Sequence, residues 1–194
     1  MSDSTLNRVS IRLSSGGHAF SQSDLERALE AKEGVEVEVV TERVTLVPEK
    51  FLNEAPLADH LLALRIPLSP ADRVVCSQPR EGVVAVMAVE DSPLRVLETK
   101  CSGPITYTSP LVQSLSDGDG ITIELIDDVA YITLHEGVLR FAEAQRIDSD
   151  ADMLYFIASV HRTYAIYNMY ARAKGDTQRI ERVMKGRFKN MKTL

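Results

Sequence analysis

No apolar run in this chain approaches the roughly 20 residues that a membrane-spanning helix requires, so no span is expected. Tryptophan is absent and aromatic residues make up only 6% of the sequence. That content is too thin for a basic amphipathic helix to rest on anionic lipid. There are two cysteines, Cys76 and Cys101. Neither belongs to a CxxC pair and no cluster has zinc-ligand spacing, which excludes a disulfide framework and points to reduced thiols in a cytoplasmic protein. Met1-Ser2-Asp3-Ser4-Thr5 lacks the basic and apolar regions of a secretory signal. His18, His60, His135 and His161 are scattered, with no HExxH and no Ser-His-Asp arrangement. Metal-assisted and nucleophilic catalysis therefore have no motif behind them, and no catalytic or metal-ligating residue is assigned.

What is present describes an ordinary globular chain. Its 194 residues are 44% hydrophobic and 26% charged, enough for one substantial core or two small ones. Net charge is −6 but unevenly spread: Lys174 to Leu194 holds seven basic residues against Asp176 and Glu181, a balance of +5, leaving −11 elsewhere. An acidic body does not favour nucleic acid, since phosphate contacts need concentrated positive surface. The basic tail is the one place for an anionic partner.

Patterning along the chain resolves into two halves. In the first, Arg8 to Ser14 and His18 to Gln22 read as a hairpin around Gly16-Gly17. Ser23 to Lys32 is helix-friendly, but its apolar stripe is thin, and it reads as a loop with one helical turn. Val35, Val37 and Val39 alternate with Glu36 and Glu38 as a half-buried strand. Val44 to Val47 is a short apolar run, Leu57 to Leu64 a helix stopped by Pro67, and Arg73 to Ser77 a strand. Val83 to Val89 is nearly all apolar and so central in its sheet. Asp91-Ser92-Pro93 starts a helix, Ile105 to Thr108 is a strand, and Ser109-Pro110 starts a helix through Leu115. Asp117-Gly118-Asp119-Gly120 is the clearest punctuation, and sets the expected boundary between residues 1–117 and 118–194. Beyond it come three strands (121–127, 129–135, 138–147), a helix at 150–165, a strand at 166–173 and a helix at 177–191. A meander of three strands followed by alternating helix and strand is the pattern of a ribonuclease H-like α/β layer. With the first half starting similarly, two tandem lobes are expected.

Several short segments carry a resemblance. They are Val9-Ser10-Ile11-Arg12-Leu13-Ser14-Ser15 with Phe20, Val44-Thr45-Leu46-Val47-Pro48 with Phe51, Gly137-Val138-Leu139-Arg140-Phe141, and Asp152-Met153-Leu154-Tyr155-Phe156. Together they resemble the uncharacterised, largely Bacteroidetes family catalogued as domain of unknown function 3822. The resemblance implies an actin-like ATPase fold and brings no biochemical activity with it. Active actin-like proteins carry Asp-x-Gly near the end of the first strand of each lobe, the aspartate organising Mg²⁺ and the glycine admitting phosphate. Here the matching positions are Arg12 and Ser14, then Glu124 and Ile126. Lys174-Gly175-Asp176 keeps one glycine where active members have a longer adenine loop, and the second lobe is expected to be shortened. ATP hydrolysis is not expected. The implied protein is a non-catalytic scaffold, a pseudo-ATPase without cofactor that binds an unknown protein or itself. The alternative is an ATP/Mg-binding protein with altered loops.

The cleft candidates are Arg12, Ser14, Ser15, Gly16, Glu124, Asp127 and Gly175. Ser14-Ser15-Gly16-Gly17 reads as a hairpin turn, with an anion-binding nest as the alternative. Asp148-Ser149-Asp150-Ala151-Asp152 reads as a helix cap rather than a calcium loop, because Met153 stands where the loop needs glycine. Arg12 and Glu124 are either a charge pair across the cleft or two exposed strand-end charges. Cys76 reads as a small core residue. Tyr155, Phe156, Tyr164, Tyr167 and Tyr170 read as core packing, with a partner-binding patch as the alternative. On the last helix, Ile180, Val183, Met184, Phe188 and Met191 form an apolar face opposite Arg179, Arg182, Lys185, Lys189 and Lys192. It is expected to dock on its own lobe, or on a partner if the lobe is truncated.

Overall fold

Strand-forming valines dominate the first part of the chain, and they build two small sheets rather than one. A computed structural model describes residues 9–14, 20–31 and 33–194. Its contacts divide the chain into two units, residues 1–109 and 110–194. The first unit runs β1 (Val9–Ser14), α1 (Gln22–Glu30), β2 (Val35–Val40), β3 (Val44–Pro48), a 3₁₀ turn (Glu49–Phe51), α2 (Leu57–Ala63), β4 (Asp72–Cys76), β5 (Val83–Glu90), α3 (Asp91–Lys100) and β6 (Ile105–Thr108). β1, β2 and β6 form a parallel sheet with β2 in the middle, while β3, β5 and β4 form an antiparallel sheet with β5 in the middle.

Central position explains burial in both sheets. Val35, Val37, Val39 and Val40 of β2 are all buried, as are Val84 to Ala88 of β5. In α3, Leu94 and Leu97 face inward, each contributing about 1.5–3 kcal/mol by leaving water. The expected hairpin is overturned: Phe20 and Ser21 are not strand, Gln22 begins α1, and β1 pairs in parallel with β2. Its glycine turn, Gly16-Gly17, lies outside the described residues. The reading of 23–32 as a loop is also corrected, since Ser21 caps a full helix by accepting from the Asp24 N–H at 3.1 Å.

The second unit runs α4 (Pro110–Gln113), a 3₁₀ turn (Ser114–Asp117), β7 (Gly120–Ile126), β8 (Val129–His135), β9 (Leu139–Arg146), α5 (Asp150–Tyr164), a 3₁₀ turn (Ile166–Asn168), β10 (Tyr170–Gly175), α6 (Thr177–Met184) and β11 (Asn190–Thr193). Its five strands lie in the order β11-β10-β7-β8-β9. β7, β8 and β9 are an antiparallel meander, and β10 and β11 run parallel to β7. Ile121, Ile123, Leu125, Ile132 and Leu134 pack against Met153, Phe156, Ile157 and Val160 of α5 and Ile180 and Met184 of α6. This alternation on β7 and β8 is what the period of a strand dictates.

Three expectations for this region change. The helix anticipated over 177–191 ends at Met184, because Lys185 turns extended and Gly186 takes a φ of 74°. Phe188 and Met191 therefore approach the core from a loop and an edge strand, not from a helical face. The strand anticipated at 166–173 begins at Tyr170, after a 3₁₀ turn. The second unit has a single five-stranded sheet, where the first has two sheets of three strands. The units divide at Ser109 and Pro110 rather than at 117 and 118, since α4 and the turn after it pack along β8, with α4 also touching β9. No helix among the described residues is long and apolar enough to cross a membrane.

Candidate functional site

In open α/β sheets the carboxyl ends of parallel strands are where ligands bind, and the candidate residues fall at two such places. In the first unit Arg12 and Glu38 stand in register across β1 and β2. The Arg12 Nε donates to Glu38 Oε2 at 2.6 Å, with the arginine side chain 50% exposed and the glutamate 12%. Ser14, at the last position of β1, lines a cavity of about 350 Å³. Ser15 and Gly16 lie outside the described residues.

The polar wall of this cavity comes from Thr41, Glu42, Arg43, Asp72 and Glu90. Thr41 is buried between the two sheets, its hydroxyl donating to the Ala88 carbonyl at 3.4 Å and accepting from the Arg43 N–H at 3.1 Å. That turn aims Arg43 at Asp72, where the guanidinium and carboxylate meet at 2.5 Å. Burial pushes the Asp72 carboxyl upward, but Arg43 and the Ser69 N–H at 2.7 Å outweigh it and hold it below the ordinary value. Glu42 Oε2 is buried without a hydrogen-bond partner. Three carboxylates facing one arginine make the cavity unfavourable for a phosphate group.

In the second unit Glu124, Asp127 and Gly175 gather at the carboxyl ends of β7 and β10. Glu124 stands opposite Tyr131 and Lys174 in the strand register. Asp127, at a φ of 52°, opens the two-residue turn that joins Ile126 to Val129, a backbone conformation aspartate tolerates better than most residues. Gly175 has a φ of 72°, and a Cβ there would sit 2.0 Å from the Leu125 carbonyl oxygen. The glycine is thus required by the close approach of β10 to β7, and Asp176 follows by donating its N–H to the same oxygen at 2.8 Å. Neighbouring carboxylates are matched by arginines. Asp128 meets Arg146 at 2.8 Å, and Asp150 meets Arg179 at 2.7 Å and Arg182 at 3.0 Å. Hydrogen bonds from Arg179 and then Arg182 hold the Asp150 carboxyl below its ordinary value. Ser149 caps α5 by accepting from the Asp152 N–H at 3.2 Å, as the cap reading of that segment requires.

The Arg12 guanidinium has no lone pair for a metal, and the Ile126 side chain is buried. Among the described residues no three histidine, cysteine, aspartate or glutamate side chains group as a metal site. Sequence reading missed the Thr41–Arg43 turn and Asp72. The available signal was Thr41-Glu42-Arg43, a polar break between two valine runs, but its partner lies 29 positions away.

Neither a family model nor a curated protein sequence matches the chain. Solved structures similar in fold include the following two. A Bacteroides thetaiotaomicron protein with an actin-like ATPase fold and unknown function aligns at a TM-score of 0.74 and 17% identity, covering 100% of this chain and 94% of that one. The cytoplasmic domain of EpsL, an inner-membrane component of the type II secretion system of Vibrio cholerae, aligns at 0.51 and 11% identity, covering 96% and 89%. The chain is a mixed α/β protein whose structure matches an actin-like ATPase fold.

Proposed function

We propose that this chain is a non-catalytic pseudo-ATPase of the domain of unknown function 3822 family, built as two ribonuclease H-like lobes, that binds another protein or a second copy of itself. The observation that carries this reading is Arg12. Where an active relative places a metal-organising aspartate, this chain holds a guanidinium against Glu38 at 2.6 Å. Its positive charge opposes a cation at that point. Gly175, the one glycine kept near the adenine-loop position, is accounted for by strand packing. The Vibrio cholerae neighbour is named as a component of a secretion system. Extending a role inside an assembly to this chain is part of the proposal.

A second reading, nucleotide binding without hydrolysis, is favoured by one feature: the Arg12 side chain is half exposed, and a guanidinium matches phosphate geometry. Thermal unfolding with Mg-ATP, and with ATP plus EDTA, separates the two, with phosphate release measured in parallel. The scaffold reading expects an unchanged midpoint and no phosphate. Ligand at a hundred times its Kd would stabilise the native state by about 2.7 kcal/mol, a shift that is easily read. A rise that persists in EDTA selects the second reading. A magnesium-dependent rise with phosphate release overturns both.

A further inference from the structure

We propose that the outer edge of β9 is a docking site for an extended segment of another protein, which adds as a further strand and brings a lysine or arginine opposite Glu143. This rests on the interaction reading above and gives that partner a shape and a charge. β9 is an edge of the five-stranded sheet, and its ladder with β8 runs without a break from Val129 and Arg146 to Leu134 and Phe141. Among the described residues no strand pairs with its far side. Alternate residues there turn an unpaired N–H and C=O outward, which is a template for one more strand.

The opposite edge of the same sheet is protected in a way that β9 is not. β11 has only four residues, carries the exposed Lys192 and follows the exposed Lys189. Short length and lysines are the ordinary means by which a sheet edge turns stray strands away. β9 has eight residues and contains no lysine, proline or glycine. Its arginines already face carboxylates of their own chain. Arg146 meets Asp128 at 2.8 Å and Asp148 at 3.3 Å, and Arg140 lies 3.8 Å from Glu136.

The guard on β9 is Glu143, and it sets the partner's chemistry. It stands opposite the buried Ile132 and two residues from Phe141, which packs on the same core with its ring 5.6 Å from that of Tyr164. Cross-strand partners share a face, so the carboxylate sits at the margin of the apolar face that α5 covers. Loss of water there pushes the Glu143 carboxyl upward, and among the described residues no hydrogen bond or ion pair reaches it. A strand laid along β9 would desolvate it further, which is costly unless the strand brings a cation. A second copy brings none. When two β9 strands pair antiparallel, the residue opposite Glu143 is an odd-numbered one, and Leu139, Phe141, Glu143 and Gln145 carry no positive charge. Arg140 and Arg146 fall on the other face. Glu143 thus rejects strands without a cation, its own copy included, and selects those that have one. An apolar residue two positions from that cation would lie against Phe141.

The test is a titration of the whole chain, following the β9 backbone amides by NMR. The probes are the capped peptide Thr-Val-Lys-Val-Thr-Val and matched peptides with norleucine or glutamate in place of its lysine. The lysine peptide is expected to shift the β9 amides saturably and to bind about fivefold tighter than the norleucine peptide, with the glutamate peptide weakest. Glu143→Gln, at an exposed position, should remove that preference, and Glu143→Lys should reverse it toward glutamate. Copies of the lysine peptide N-methylated at alternate residues test the ladder itself, and one of the two alternations should abolish the shifts. Unmoved β9 amides, or equal binding of the three peptides to wild type, overturn the proposal. β9 amides that shift with the concentration of the chain alone, with a dimer in sedimentation, overturn the assignment in favour of a second copy. Mg-ATP melting remains a separate readout, so failure here and failure of the scaffold reading are told apart.

Discussion

The two strand-end clusters occupy the same kind of architectural position but treat their charges differently. In the first unit a hollow is left, with Glu42 lacking a partner and carboxylates outnumbering the one arginine of its wall. In the second unit the space is taken up by close backbone contact at Gly175, and Arg146, Arg179 and Arg182 each reach a carboxylate. One end keeps room for something else, whereas the other is closed on itself. The lesson is that a strand terminus becomes a site only where packing leaves space and unmatched polarity together.

Gly175→Val breaks the closed end most severely. It sets a Cβ against the Leu125 carbonyl in a left-handed backbone, so a loss of about 3 kcal/mol or more is expected in urea unfolding. A loss below about 1 kcal/mol would show that β10 and β7 are less tightly apposed than described. Asp72→Ala tests the hollow end, where it strands the half-buried Arg43 guanidinium at a cost of about 2 kcal/mol. The same carboxyl has a folded pKa below its unfolded value near 3.9. Its stabilisation is therefore present above that pH and is lost as pH falls through the folded pKa. Melting curves between pH 2 and 6 should show Asp72→Asn with a flatter acid limb than wild type, and identical limbs would contradict the pairing. The smallest effect is expected from Glu42→Gln, which removes an unmatched charge. Stability should change by less than about 1 kcal/mol, in the favourable direction. A clear loss instead would mean that Glu42 is paired in solution.

Much of the fold could be read from the amino acids. The valine alternation of β2, the apolar run of β5 and the β7–β8–β9 meander were all visible, because side-chain period and turn residues are local. Failures came where local and non-local preferences diverged. Phe188 and Met191 continue the helical spacing of α6, yet Gly186 breaks it and β11 pairs with β10 instead. Of the cleft candidates, Glu124, Asp127 and Gly175 lie at neighbouring strand ends and Ser14 lines a cavity, while their role as cleft residues stays part of the proposal. The polar wall of that cavity was not visible.

What the sequence determined alone was the local pattern of strands such as β2, β5 and the β7–β8–β9 meander, since side-chain period and turn residues depend on neighbouring positions. Only the tertiary structure decided which strands pair and which charges meet. Arg12 and Glu38 are 26 positions apart, and Arg43 and Asp72 are 29. Contacts at such separations arise from the packing of whole sheets, and no local pattern encodes them.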